Sequence, residues 1–309
     1  MVEQIYDECG VTLTPIEENT FQNGQFDATL DLLERRITGG RLSVRRALAT
    51  VLKPDYSRKG AMETHTALLR LALNRDNTLR LVTTNFDRIF HAAASAIDQS
   101  FESFAAPMLP VPKRSRWDGL VFIHGLLSEH SDDTQLHQLV VTSGDFGLAY
   151  LTERWAARFM SEVFRNYSVC FIGYGINDPV LRYMMDALAA DRMMGEVVPQ
   201  AWAFGSVEPG LEHETSSEWD AKGVTSILYE VPAGTHDHSA LHQSLHAWAE
   251  TYRDGVQGKE AIVVKHASNQ PMESTEQDNF VGRMLWALAD KSGLPAKRFA
   301  EYDLSLIHI

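Results

Sequence analysis

The chain has 309 residues, 44% of them apolar and 22% charged. That is enough apolar material to bury a core and too much for a disordered chain; at roughly 100–200 residues per domain it predicts one large domain or two ordinary ones. Lys and Arg number 28 against 41 Asp and Glu, a formal charge of -13. Such a surface repels phosphate backbones and argues against a nucleic-acid clamp, but not against one nucleotide held by local dipoles and glycine turns.

Cys9 and Cys170 are the two cysteines, too few for a four-thiolate zinc site or a disulfide framework. No run approaches the roughly 18 consecutive apolar residues of a membrane span. Met1 to Asp7 lacks a basic segment followed by an apolar one, so no secretory signal is expected. The expectation is a soluble cytoplasmic α/β protein.

In chain order, Phe26, Leu30, Leu33 and Ile37 recur at helical spacing from Gln25 to Ile37, and Gly39-Gly40 ends that helix. Ser43 is predicted to cap a second helix through Leu52, stopped by Pro54. A third is predicted from Met62 to Leu73. Leu79 to Thr84 is a β-type run, followed by Asn85-Phe86-Asp87 and a helix from Arg88 to Ala96. A proline-rich loop and the basic Lys113, Arg114 and Arg116 lead to a strand over Leu120 to Ile123, ending in His124-Gly125. Leu139 to Thr142 is predicted as a strand and Phe146 to Phe164 as helical. Val169 to Ile172 is a strand ending in Gly173-Tyr174-Gly175, and Asp178-Pro179 opens a helix through Ala190. Ala201 to Phe204 and Ser226 to Tyr229 are further strands. A final helix is predicted from Ser239 to Tyr252; order weakens from Gly255, with a polar connector over Ser268 to Gln277.

Several of these strands are continuous apolar runs, the pattern of strands covered on both faces. Together with strand-helix alternation, this predicts a Rossmann-like, doubly wound, mostly parallel sheet with helices on both faces. Ligands in such folds bind beyond the carboxyl ends of the strands, at the topological switch point. Three strand ends carry polar or glycine-rich residues: Thr83-Thr84-Asn85-Phe86-Asp87, His124-Gly125 and Gly173-Tyr174-Gly175-Ile176-Asn177-Asp178. Each has a plainer reading. Asn85 and Asp87 could cap the next helix, His124 could be a half-buried histidine bonded to a carbonyl, the glycines could serve a tight turn, and Asp178 could be an N-cap. The predicted topology points all three ends at one crevice.

These three segments resemble the SIR2-like NAD-binding domain, in particular the branch found in large bacterial anti-phage defence proteins; the resemblance covers Met1 to Tyr252. Thr84-Asn85-Phe86-Asp87 stands where sirtuins have Gln-Asn-Ile-Asp, and His124 stands at the His of their His-Gly motif. The resemblance implies NAD as substrate, cleaved to nicotinamide and ADP-ribose. Asn85 would hold ribose hydroxyls or a water, His124 would act as general base, and Asp87 would accept from the nicotinamide carboxamide or orient its loop. Thr83, Thr84, Phe86, Gly173, Tyr174, Gly175, Asn177 and Asp178 join them as NAD-binding candidates. Sirtuin deacylases carry a four-cysteine zinc module that this chain cannot build, which favours the NAD-hydrolysing branch and no metal. An NAD-dependent deacylase and a non-catalytic NAD or ADP-ribose sensor are the alternatives. The expected partners are NAD, a homo-oligomer, and a phage-protein trigger or partner subunit, with neither direct nucleic-acid nor membrane contact.

The family opens with a strand and a Gly-Ala-Gly-x-Ser type turn, and Met1 to Phe21 holds none. The central first strand is therefore expected upstream, and the chain by itself is expected to be poorly soluble or inactive. Leu304 to Ile309 match the translation of a library adaptor. The expected division is a SIR2-like domain over 1–255, truncated at its start, a linker or further C-terminal region over 256–303, and a scar over 304–309.

Other features weigh less. His236, His238, His242 and His246 include metal-ligand spacing, but with neither cysteine nor the metalloprotease Glu nearby they read mainly as a solvated helix face. Lys113, Arg114 and Arg116 are a solvated loop or a contact for a partner or phosphate. Met184, Met185, Met193 and Met194 are expected to fill core or an interface. Leu241, Leu245 and Trp248 are expected to anchor the last helix in a core.

Overall fold

The computed structural model describes residues 1–74, 76–113, 116–127, 132–175, 184–185, 199–267 and 276–306. The chain divides into two compact units, Met1–Leu241 and His242–Ile309.

The first unit opens with four helices: α1 (Val2–Glu8), α2 (Pro15–Gln22), α3 (Phe26–Arg36) and α4 (Gly40–Val51). A reciprocal cap starts α2: Thr14 N–H donates to Glu17 Oε2 at 2.7 Å, and Glu17 N–H donates to Thr14 Oγ1 at 3.4 Å. Glu17 also receives Arg36 Nε at 2.7 Å, which fastens α2 to α3. Between α3 and α4 the chain reverses at Gly39, whose φ of +83° favours glycine. Ser43 lies inside α4 and donates to the Thr38 carbonyl at 3.0 Å, so it is not the predicted cap. Ile5, Tyr6, Leu30, Leu33, Val44 and Leu48 form a core that also takes in Leu139 and Val141.

Helix α5 (Glu63–Ala72) precedes β1 (Arg80–Thr83), α6 (Ile89–Ala96), β2 (Ser103–Ala105) and β3 (Gly119–Phe122). The three strands form a parallel sheet in the order β1-β3-β2, with Leu81 beside Leu120 and Phe104 beside Val121. All four β3 residues are buried, as expected for a central strand between two covered faces. Next come α7 (Asp133–His137), α8 (Ser143–Phe146), a π-helical turn (Gly147–Thr152), α9 (Trp155–Asn166) and β4 (Val169–Phe171). β5 (Ala201–Val207) and β6 (Val224–Glu230) complete a second parallel sheet, β4-β5-β6, with helix Glu212–Ala221 between them in sequence. One hydrophobic cluster joins the two sheets, uniting Val121 and Ile123 with Phe171, Ala201 and Ala203. The fold is mixed α/β with parallel sheets flanked by helices, consistent with a Rossmann-like arrangement.

Several local expectations change. Leu139 to Thr142 is not a strand among the described residues; side chains take its Leu139 carbonyl and its Val141 and Thr142 N–H groups. The predicted helical segment Phe146 to Phe164 is broken: α8 gives way to the π turn, and Arg154 takes φ +60° before α9. Coverage on both faces holds for β3, but Cys170 of β4, Trp202 of β5 and Ile227 of β6 are exposed. Met184 and Met185 lie in the core; Met193 and Met194 fall outside the described residues, as does Arg114. Trp248 is exposed, although Leu241 and Leu245 are buried: helix Ser239–Asp254 keeps a narrower apolar stripe than expected.

Past Gly255, where order was expected to weaken, the second unit continues with helices Val256–His266, Glu276–Leu288 and Leu294–Leu306. Val263, Met284 and Ala287 are buried at its centre. Lys259 Nζ reaches Asp290 at 2.7 Å and lies over the Trp286 ring at 4.2 Å. Among the described residues no helix is long and apolar enough to cross a membrane.

Candidate functional site

The carboxyl ends of β1, β3 and β4 meet. Thr83 ends β1; its carbonyl accepts from Ile123 N–H at 3.0 Å, and its Oγ1 accepts from Asn85 N–H at 3.1 Å. That hydroxyl closes a tight turn which lifts Asn85 off the sheet, and the Asn85 side chain is exposed. The Phe86 carbonyl accepts from Leu127 N–H at 2.8 Å, binding the loop after β1 to the loop after β3. From the third strand end, the Tyr174 hydroxyl donates to Thr84 Oγ1 at 3.1 Å. Asp87 Oδ1 accepts from Ile89 N–H at 2.9 Å, an Asx turn that orients the loop just before α6. The N-cap position of α6 is Arg88, and no side chain caps the helix there.

The loop after β3 depends on Gly125. Its φ is +100°, and a Cβ there would lie 2.8 Å from Leu139 Cδ2 and 3.3 Å from Leu139 Cα. The close approach lets Val140 N–H donate to the His124 carbonyl at 2.9 Å. At the end of β4, Gly173 takes φ +80°, and a Cβ on Gly173 or Gly175 would meet nothing within 4 Å among the described residues. Glycine there leaves the backbone free of side-chain cover of its own. Asn177 and Asp178 lie outside the described residues.

His124 is 3% exposed. Its Nε2 lies 3.0 Å from the Tyr150 hydroxyl, and the Phe146 ring stands edge-on to it at 5.1 Å. Burial pushes the imidazole down to about 3, so the ring is neutral at pH 7. The sequence places His124 at this strand end but gives no sign of Tyr150, which sits on the π turn 26 residues later.

A buried charge network supports that turn. Asp145 of α8 accepts from Val141 N–H and Thr142 N–H, each at 2.9 Å, and from Thr142 Oγ1 at 3.0 Å. Arg45, fully buried, pairs with Asp145 and with Glu34 Oε1 at 2.8 Å, and donates Nη1 to the Leu139 carbonyl at 2.5 Å. Arg41 reaches the other Asp145 oxygen at 2.5 Å. Burial raises the cost of ionising Asp145, but Arg45 and the backbone donors outweigh it and hold the carboxyl below its ordinary range. This network takes the Leu139 carbonyl and the Val141 and Thr142 N–H groups, which a strand ladder would need. The sequence hint was Asp145 three residues after Thr142, the spacing of a cap.

Elsewhere, His238 Nδ1 lies 2.9 Å from the Tyr229 hydroxyl, and His236 is exposed. Among the described residues no group of three or more His, Cys, Asp or Glu side chains is gathered to hold a metal ion.

Residues 79–227 match the SIR2-like domain family, the stretch that supplies all three strand ends. An uncharacterized protein of Sinorhizobium fredii, y4cA, is 28% identical over 304 residues. The similarity takes in 95% of this chain and 24% of the relative, so the chain spans about a quarter of that protein's length. The matched segment contains the parallel strands and all three strand-end motifs, so residues 79–227 are similar to the SIR2-like domain.

Proposed function

We propose that this chain carries an NAD glycohydrolase module that cleaves NAD to nicotinamide and ADP-ribose, within a bacterial anti-phage defence protein. SIR2-like domains bind NAD. The observation that carries the reading is the meeting of exposed Asn85, the His124 strand end and the Gly173–Gly175 backbone, tied by the Tyr174–Thr84 and Leu127–Phe86 hydrogen bonds. The defence setting is supported by the likeness of these motifs to that branch of the family.

In the proposed reaction, the bond from ribose C1′ to the nicotinamide nitrogen breaks, and its electron pair leaves with neutral nicotinamide. A water oxygen bonds C1′, and its proton passes to the neutral His124. Asn85 donates and accepts at once, which suits it to hold the ribose hydroxyls or that water. General-base help is worth typically 10²–10⁴-fold, so positioning supplies the larger share of the rate.

One observation favours a second reading. His124 is buried at 3% exposure, which limits the access of water to it and favours binding without turnover. Incubating the product of the full open reading frame with NAD separates the two. Free nicotinamide with ADP-ribose supports hydrolysis. Tight binding of intact NAD supports a sensor, and acyl-ADP-ribose formed only with an acylated peptide supports a deacylase.

A further inference from the structure

We propose that Tyr150 is the positioning residue of His124: its hydroxyl, delivered by the π-helical turn, fixes the orientation of the imidazole. The inference rests on the hydrolase reading for its kinetic consequence but not for the contact itself.

Three observations carry it. The Tyr150 hydroxyl lies 3.0 Å from His124 Nε2, and both residues are buried, at 5% and 3% exposure, so water does not compete for the contact. The turn Gly147–Thr152 is π-helical, a wider winding often found at functional sites. It shifts the side chains after Phe146 relative to an uninterrupted α-helix, and Tyr150 and Phe146 both border the imidazole. Finally, α8, which leads into the turn, is anchored by Asp145 on Arg45 and Arg41. A buried charge network is a costly way to hold one short helix in place, and what that helix leads to is Tyr150. A neutral imidazole has one donor and one acceptor nitrogen, so the partner at Nε2 settles which nitrogen is left for substrate.

The test is Tyr150→Phe in the full open reading frame, with two readouts. In kinetics, KM for NAD is expected to stay within about twofold while kcat falls at least tenfold, because an orienting bond matters most in the transition state. In diethylpyrocarbonate labelling read by mass spectrometry, His124 is expected to react at least threefold faster in the variant, while His65 and His91 keep their rates. A purely structural role of Tyr150 would raise all three together. An unchanged His124 labelling rate overturns the proposal, as does an unchanged kcat in a protein that cleaves NAD. If the wild type does not turn over NAD, the function reading fails and labelling alone decides the contact. If the Phe variant does not fold, wild type made with 3-fluorotyrosine replaces it. A more acidic phenol is expected to change the His124 labelling rate, and no change overturns the proposal.

Discussion

His124 and Asn85 divide the chemistry by their exposure. Asn85 stands clear of the sheet on the turn closed by Thr83, whereas His124 sits under Phe146 and Tyr150. Asn85→Ala is expected to lower kcat about 10²-fold with little change in KM, since misplacement of ribose or water costs most in the transition state. A KM rise with kcat unchanged would make Asn85 a binding residue only. His124 also marks the pH dependence of folding. Its folded pKa is depressed to about 3 by burial, while the unfolded value is about 6.5. Below that ordinary value the unfolded chain takes up a proton that the folded chain refuses, so stability falls as pH drops from about 6.5 toward 3. His124→Gln removes this site: between pH 7 and pH 5 the wild type is expected to lose about 2 kcal/mol more than the variant in urea unfolding. Parallel curves for the two proteins would show that His124 is not buried as described.

Among the elements, the buried Arg45 network holds the segment 139–146 against α3 and α4. Arg45→Met removes the nearer partner of Glu34 and a partner of Asp145 together with the nearer donor to the Leu139 carbonyl. Breaking a buried pair from one side costs about 3–5 kcal/mol, and urea unfolding checks it; a loss below about 1 kcal/mol would show that Arg41 alone satisfies Asp145. The same network explains what the sequence hid. Leu139-Val140-Val141-Thr142 has the apolar, β-branched composition of a strand, yet a long-range bond from Arg45 takes the Leu139 carbonyl and local bonds to Asp145 take the Val141 and Thr142 N–H groups, and composition cannot register those. The short β2, Ser103–Ala105, lies between weak turn signals and takes its place through pairing with β3. By contrast, β1, β3 and β4 with their polar ends were legible, because apolar runs ending in Asn, His or Gly are local patterns. Trp248 was misread because apolar character marks what can be buried, not what is.

For the whole molecule, a charge of -13 sets the general field against an anionic substrate. Binding of NAD therefore has to come from local groups at the strand ends, such as the Gly173–Gly175 backbone. The family match spans all three strand ends, and the hydrolase reading stands on their acting as one site. NAD consumption by wild type and His124→Ala, both expressed from the full open reading frame and both shown to melt cooperatively, tests that most directly. Nicotinamide and ADP-ribose are expected from the wild type without any acylated peptide, and a rate about 10²–10⁴-fold lower is expected from His124→Ala. Wild-type turnover by a folded His124→Ala protein would contradict this reading.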